Sequence, residues 1–211
     1  SELYSFMREV GGPGIVVGID EVGRGALAGP LTVAAVALPG EPQVIGIDDS
    51  KKLSPKRREA LAAQIREVAL GVGICHIPPE EIDACGMAAS LRVCMARALA
   101  ACERDIAARG NGNGADAVLV DGNPIHLHAN EKTIVKGDGK AACIAAASIV
   151  AKVTRDALMV EYAQSYPAYH FDSNKGYGSA AHIEALHELG PCVLHRRSFL
   201  GNICGQQQSL L

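Results

Sequence analysis

The stretch that most constrains this chain is IVVGIDEVGRGALAGP, residues 15 to 30. A short β-branched run, Ile15-Val16-Val17-Gly18-Ile19, ends in two adjacent carboxylates, Asp20 and Glu21, and Val22-Gly23-Arg24-Gly25 follows. A run this short and this branched reads as a buried strand, not a helix. In open α/β sheets the carboxyl ends of strands are where ligands bind. Two carboxylates at such an end are costly unless something cationic is close. The alternative is a strand end that meets solvent through a glycine turn.

The next apolar run, Leu31 to Leu38, reads as a second strand, and the short Gly-rich connection suggests a hairpin-like antiparallel pair. Residues 44 to 49 read as a third strand and 72 to 77 as another. Between them Ser54 suits an N-cap and Pro55 a first helical position, and Leu61, Ile65 and Val68 recur at helical spacing. Glu80 to about Arg109 reads as one or two Ala-rich helices, and RGNGNGAD as a loop. AVLVD, residues 117 to 121, is a continuous apolar strand that again ends in aspartate. Residues 131 to 136 suit a final strand, and 141 to about 164 a long helix. The tail after SYPAYHFDSNKGYG is helical and more polar, interrupted by Pro191. Alternating strands and helices predict an α/β fold with a mixed sheet.

Composition narrows the class. The chain has 211 residues, 48% of them hydrophobic, enough for one substantial core. Aromatics make up 4% and Trp is absent, so Ala, Val, Ile and Leu must build that core. The formal charge of −3 excludes a global positive field for nucleic acid, so any such binding needs a local basic face. The seven cysteines contain no C-x-x-C pair, which argues against a disulfide framework or a zinc site. Cys85, Cys94 and Cys102 lie in apolar helical context and read as core residues. The N-terminus has no apolar signal region, and Ala141 to Ala151 is too short to span a bilayer. The expectation is a soluble, cytoplasmic chain.

Asp20 and Asp121 end strands that can be neighbours in a parallel sheet, which would bring their carboxylates to one edge. On the long helix Ser148, Lys152 and Asp156 fall at i, i+4 and i+8 and share one face. A polar stripe on an otherwise apolar helix needs partners. Asp156 beside Asp20, Glu21 and Asp121 would make a cluster of four acids. Two carboxylates about 4 Å apart repel by roughly 4 kcal/mol at an effective dielectric near 20. Protons or metal ions must neutralise such a cluster, and oxygen-only ligands select Mg²⁺ or Mn²⁺. The alternative pairs Asp156 with Arg155 or Lys152 on a solvated helix face.

Seven stretches carry a resemblance: IDEVGRGALAGP (19 to 30), DSKKLS (49 to 54), VDGN (120 to 123), KGD (136 to 138), IAAASIVAKVTRD (144 to 156), YPAYHFDSNKGYG (166 to 178) and HRRSF (195 to 199). In order, over nearly the whole chain, they resemble the bacterial ribonuclease HII family, the type 2 ribonucleases H. The resemblance implies an RNase H-like fold: a central mixed β-sheet flanked by helices, with a helical C-terminal segment. It implies a catalytic core over 1–165, and over 166–211 a substrate-contacting loop and helical segment of the same domain. It implies an endoribonuclease that cleaves the RNA strand of RNA–DNA hybrids and nicks 5′ of ribonucleotides embedded in duplex DNA. Asp20, Glu21, Asp121 and Asp156 match the family's catalytic acids, which hold two Mn²⁺ or Mg²⁺ ions. Gly23, Arg24 and Gly25 match its GRG motif, whose backbone approaches the ribose and phosphate at the RNA–DNA junction. Tyr177 matches the tyrosine that stacks under the following deoxyribose and helps hold the 2′-hydroxyl. Ser50, Lys51, Lys152, Lys175, His195 and Arg196 are similar to positions near substrate phosphates. A monomer without membrane attachment is implied.

The sequence departs from the family pattern at Ala26, where proline is common, and at Gly86-Met87 after EID, which bears on local helix packing. The run Lys51, Lys52, Lys56, Arg57 and Arg58 is a candidate phosphate face or a solvated helix start. His126, His128 and His182 lack cysteines at zinc spacing and read as structural. Gln207 to Leu211 weakly resembles a sliding-clamp-binding pentapeptide, against the alternative of a frayed tail. Two rival functions stand beside the main one: another metal-dependent nuclease or strand transferase of RNase H-like fold, and a non-catalytic nucleic-acid binder.

Overall fold

A computed structural model of the chain describes residues 1–47 and 53–204. Five strands form one mixed sheet: β1 (Val16–Val22), β2 (Leu31–Ala37), β3 (Gly71–Ile77), β4 (Ala117–Asp121) and β5 (Glu131–Ile134), in the order β3-β2-β1-β4-β5. β1 and β4 are parallel, with Val16 opposite Ala117 and Ile19 opposite Val120. β4 and β5 are also parallel. The centre of the sheet therefore falls on the two strands that end in acids. The β-branched run of β1 is buried on both faces, as its continuous apolar sequence predicts.

The expected strand over 44 to 49 does not form. Val44 to Ile47 is a turn whose two ends, Val44 and Ile47, are buried as plugs in the core, while Ile45 is 84% exposed. An apolar spacing of three does not match the two-residue strand period. Residues 48 and 49 lie outside the described residues.

The helices are α1 (Glu2–Gly11), α2 (Pro55–Val68), α3 (Pro79–Cys85), α4 (Met87–Ala108), α5 (Ala142–Ser165), α6 (Phe171–Asn174), α7 (Ala180–Leu189) and α8 (Gly201–Cys204). In α2 the Ser54 hydroxyl accepts the Arg57 N–H at 3.3 Å and Pro55 opens the helix, as expected. The Ala-rich stretch divides at Gly86, which takes φ +80° and donates its N–H to the Ile82 carbonyl. Cys85, at that break, is exposed, whereas Cys94 and Cys102 are buried; the last turn of α3 turns its thiol out of the core. No described helix is long and apolar enough to cross a membrane.

The chain folds into two compact units that interleave along the sequence. One holds residues 1–22, 33–75 and 92–153. Its core joins Tyr4 and Met7 of α1, Leu61 and Ile65 of α2 and Leu119 of β4 to the Ala-rich half of α5. The other holds residues 23–32, 76–91 and 154–211. Its smaller core is Met159, Tyr169, Phe171, Leu186 and Leu200 around Ala28.

Candidate active site

In the first unit, one glycine sets the position of Asp20. A Cβ on Gly18 would lie 2.2 Å from the carbonyl carbon of Cys143, so only glycine lets α5 lie directly on β1. Ser148 on α5 then hydrogen-bonds Asp20, which is buried. Ile19 pairs with Val120, so the next residues, Asp20 and Asp121, fall side by side where that pairing ends. Asp121 is held from outside the strand: its Oδ1 accepts the N–H of Gly137 at 2.7 Å. This gives the KGD turn a role that spacing alone does not reveal.

The electrostatics of these acids follow from that geometry. Burial pushes the Asp20 carboxyl up to about 7, and the charges of Glu21 and Asp121 push the same way. The Ser148 hydroxyl and the Glu21 N–H, which donates to Asp20 Oδ1 at 2.8 Å, oppose the rise without cancelling it. Asp20 thus sits in a field that disfavours its charge and that a cation would relieve. As placed, no three acidic, histidine or cysteine side chains among the described residues converge at ligand geometry. The donor set of Asp20, Glu21 and Asp121 is all oxygen, which fits a hard divalent cation. Ser148, Lys152 and Asp156 lie on α5, with Asp156 about 12 Å along the axis from Ser148 at 1.5 Å per residue.

In the second unit, the glycine loop meets Tyr177. The N–H of Gly23 donates to the Tyr177 hydroxyl at 3.1 Å. Gly23 takes φ +83°, and a Cβ there would lie 2.2 Å from Arg155 Nε. Arg155 is fully buried and donates to three carbonyls, those of Pro30 at 2.8 Å, Lys175 at 2.8 Å and Ala28 at 3.0 Å. Arg196 is also fully buried; it donates to the Gly29 carbonyl through Nε at 3.1 Å and Nη2 at 3.0 Å, and to the Arg24 carbonyl at 3.0 Å. Backbone bonds complete the frame: Leu27 N–H to Gly176 O, Arg196 N–H to Leu27 O and Gly29 N–H to Leu194 O. Residues 27 to 29 are therefore fixed along both sides. Arg24 and Gly25 remain exposed, and a Cβ on Gly25 would meet nothing within 4 Å. Tyr177 is 36% exposed.

The remaining expected site residues fall in different places. Lys152 is half-buried on α5, and the Lys175 ammonium turns back to the Asp172 carbonyl. Ser50 and Lys51 lie outside the described residues. His195 and Arg196, expected near substrate phosphates, are interior: Arg196 spends its guanidinium on the loop, and His195 faces His182. Sequence reading named Arg155 only as an alternative partner for Asp156; its bracing of the loop went unseen, since carbonyl partners leave no pattern of complementary side chains.

The Ribonuclease HII family model matches residues 17–201. The ribonuclease HII of Endomicrobium trichonymphae is 44% identical over 203 residues, covering 94% of this chain and 92% of that protein. That of Moorella thermoacetica is 46% identical over 200 residues, covering 93% of each. Among solved structures, ribonuclease H2 from Pyrococcus horikoshii superposes with a TM-score of 0.75 at 25% identity, over 92% of this chain and 99% of that one. A ribonuclease HIII in complex with Mn²⁺ shares the fold, with a TM-score of 0.71 at 17% identity over 92% of this chain and 69% of that one. The RNase HII of a PCNA:RNase HII complex from Archaeoglobus fulgidus gives 0.70 at 28% identity, over 87% and 94%. The strand pair ending in acids, the braced glycine loop and these likenesses agree: the chain belongs to the ribonuclease HII family.

Proposed function

We propose that this ribonuclease H cuts the RNA strand of RNA–DNA hybrids and nicks 5′ of single ribonucleotides in duplex DNA, with two divalent ions bound. The products are a 3′-hydroxyl and a 5′-phosphate. The observation that carries the reading is the buried Asp20, set beside Glu21 and Asp121 by the pairing of β1 with β4. Asp20, Glu21 and Asp121 would hold the ions, with Asp156 on α5 as the fourth acid. Held there, Mg²⁺ or Mn²⁺ would supply water activation and stabilisation of the charge that develops on the departing 3′-oxygen.

The chain's own residues supply position and selectivity. Gly25 offers a backbone with open space beside it, which lets a sugar-phosphate come close. The Tyr177 hydroxyl, already an acceptor for Gly23 N–H, keeps its own proton to donate to a 2′-oxygen. Plain DNA leaves that donor unpaired, and an unpaired polar group in a closed contact is how a site rejects the substrate lacking the hydroxyl. This favours a ribonucleotide reader over a DNA-cutting nuclease of the same fold.

The test is a gel assay on a DNA duplex with one internal ribonucleotide, with Mg²⁺ or Mn²⁺, against an all-DNA duplex. Cutting 5′ of the ribonucleotide alone supports the reading, and equal cutting of both duplexes ends it. The Archaeoglobus fulgidus complex motivates a second element, docking of a sliding clamp by Gln207–Leu211, which lies outside the described residues. Co-elution with clamp that is lost on deleting 207–211 supports docking, and no co-elution of the intact chain ends it.

A further inference from the structure

Tyr177 is tied to the second unit through its main chain as well as its hydroxyl. Its carbonyl accepts the Ser179 N–H at 2.8 Å and lies 2.8 Å from His182 Nδ1. A carbonyl only accepts, so His182 carries its proton on Nδ1 and leaves Nε2 bare. That bare nitrogen lies 2.9 Å from Nε2 of His195, which must therefore be the protonated one. His195 Nδ1 is then bare, and it faces the Cys192 N–H at 3.0 Å with the Cys192 sulfur at 3.2 Å. Each donor meets an acceptor in one arrangement only, with both rings neutral and in opposite tautomers.

The rings have little freedom to leave that arrangement. His182 is fully buried and His195 is 2% exposed. The Tyr169 ring centre is 4.9 Å from that of His195, and Phe171 stands 5.4 Å from His182, nearly perpendicular. The Tyr169 hydroxyl is itself tied to the Gly190 carbonyl at 2.7 Å. On the far side, the backbone of His195 bridges Ala28, the segment that continues the glycine loop. A satisfied buried polar chain of this kind selects a single geometry, whereas a half-satisfied one is costly.

We propose that His182 and His195 form a tautomer-locked pair of positioning residues that set Tyr177 against Gly23, and so set the fidelity of ribonucleotide recognition. The pair touches no substrate; it acts through Tyr177. The proposal rests on the reading of Tyr177 given above.

The first test is ¹⁵N-resolved NMR of the imidazoles of the intact protein at pH 7. The expected result is an Nδ1–H tautomer at His182 and an Nε2–H tautomer at His195; the reverse assignment, or a doubly protonated ring, overturns the pairing. The second compares H182F, H182N and Y177F on a single-ribonucleotide duplex. H182F is expected to lose about ten- to a hundredfold in kcat with a smaller change in KM, the scale of a misplaced contact. H182N, which restores a donor where Nδ1 stands, is expected to recover most of that loss. Equal losses in H182F and H182N, or none in H182F, overturn the positioning role. If Y177F keeps full discrimination between ribonucleotide and plain DNA, the reading of Tyr177 fails while the tautomer result stands. If Y177F loses discrimination and H182F does not, the pair's role alone fails.

Discussion

The guanidinium of Arg155 lies against the ring of Tyr177, its central carbon 5.4 Å from the ring centre, while its nitrogens are bound to the carbonyls of Ala28, Pro30 and Lys175. One side chain thus holds the aromatic ring and two backbone segments, 28–30 and that of Lys175, at once. R155K keeps the charge but lacks the planar fork, so buried carbonyls lose their donors. Each costs about 1–3 kcal/mol, so a total loss of roughly 2–4 kcal/mol is expected in a denaturant melt. Cleavage of a single-ribonucleotide duplex should weaken in step, and an R155K melt equal to wild type would refute this account of the loop.

The two glycines of the GRG motif should behave differently. G23A must take φ +83° and places its Cβ 2.2 Å from Arg155 Nε, so it should destabilise the fold by about 2 kcal/mol or more and cut activity. G25A meets nothing within 4 Å and should melt like wild type. If a substrate backbone passes there, G25A still raises KM. Thermal melts and steady-state kinetics on both variants separate the two roles.

In the metal-free chain Asp20 contributes a loss of stability as pH rises. Asp20 holds its proton to about 7 in the folded state, while an unfolded aspartate releases it near 4. Between those values the folded state binds more protons, so its stability is full below about pH 4 and declines towards pH 7, by at most on the order of 4 kcal/mol. D20N should flatten that decline. Mg²⁺ or Mn²⁺ should raise the melting temperature more at pH 8 than at pH 5, because only the ionised site rewards a cation.

His195 gives a limb of opposite sign. Burial first, then the proximity of the His182 ring and Arg197, hold it down to about 4 against about 6.5 unfolded. The unfolded state then binds more protons between those values, so stability is intact above about pH 6.5 and falls towards pH 4, by on the order of 3 kcal/mol. H195Q should weaken this acid limb, to which buried His182 also contributes, and leave the Asp20 limb in place. Melts across pH 4 to 8 for wild type, D20N and H195Q resolve the two.

D121N removes one charge while leaving an oxygen to accept the Gly137 N–H. Cleavage should fall by a factor of about a thousand or more, in keeping with the share of rate enhancement that charge stabilisation supplies. Binding of a hybrid should change little, as read by a gel shift. Wild-type cutting by D121N would remove this acid from the proposed chemistry.

The acids were legible because strands announce themselves. Continuous apolar runs at 15–19 and 117–120 mark buried parallel strands, and a carboxylate closing each has few places to go. The Ser54 cap was equally plain, as was Ser148 on α5, which bonds Asp20. Helix α1 was not, because only Leu3, Tyr4 and Met7 mark its buried face outside the short segment's last turn. The 44–49 run misled because buried plugs in a turn and a short strand have the same composition. The two interior arginines and the histidine pair were illegible for a different reason. Their partners are main-chain carbonyls, N–H groups and each other, and main-chain groups exist at every position and leave no pattern.

Carbonyl oxygens satisfy the hydrogen bonds of Arg155 and Arg196 but do not cancel their charge; Asp156 and Asp83 offset it in part, and the two guanidiniums repel one another. The segment bearing Arg24 and Gly25 is therefore backed by positive potential that comes from inside the protein. Dissolved salt weakens the pull of surface lysines readily, yet it penetrates poorly to buried charge. Near this loop a polyanionic strand should keep part of its attraction in brine, drawn by cations that it never touches.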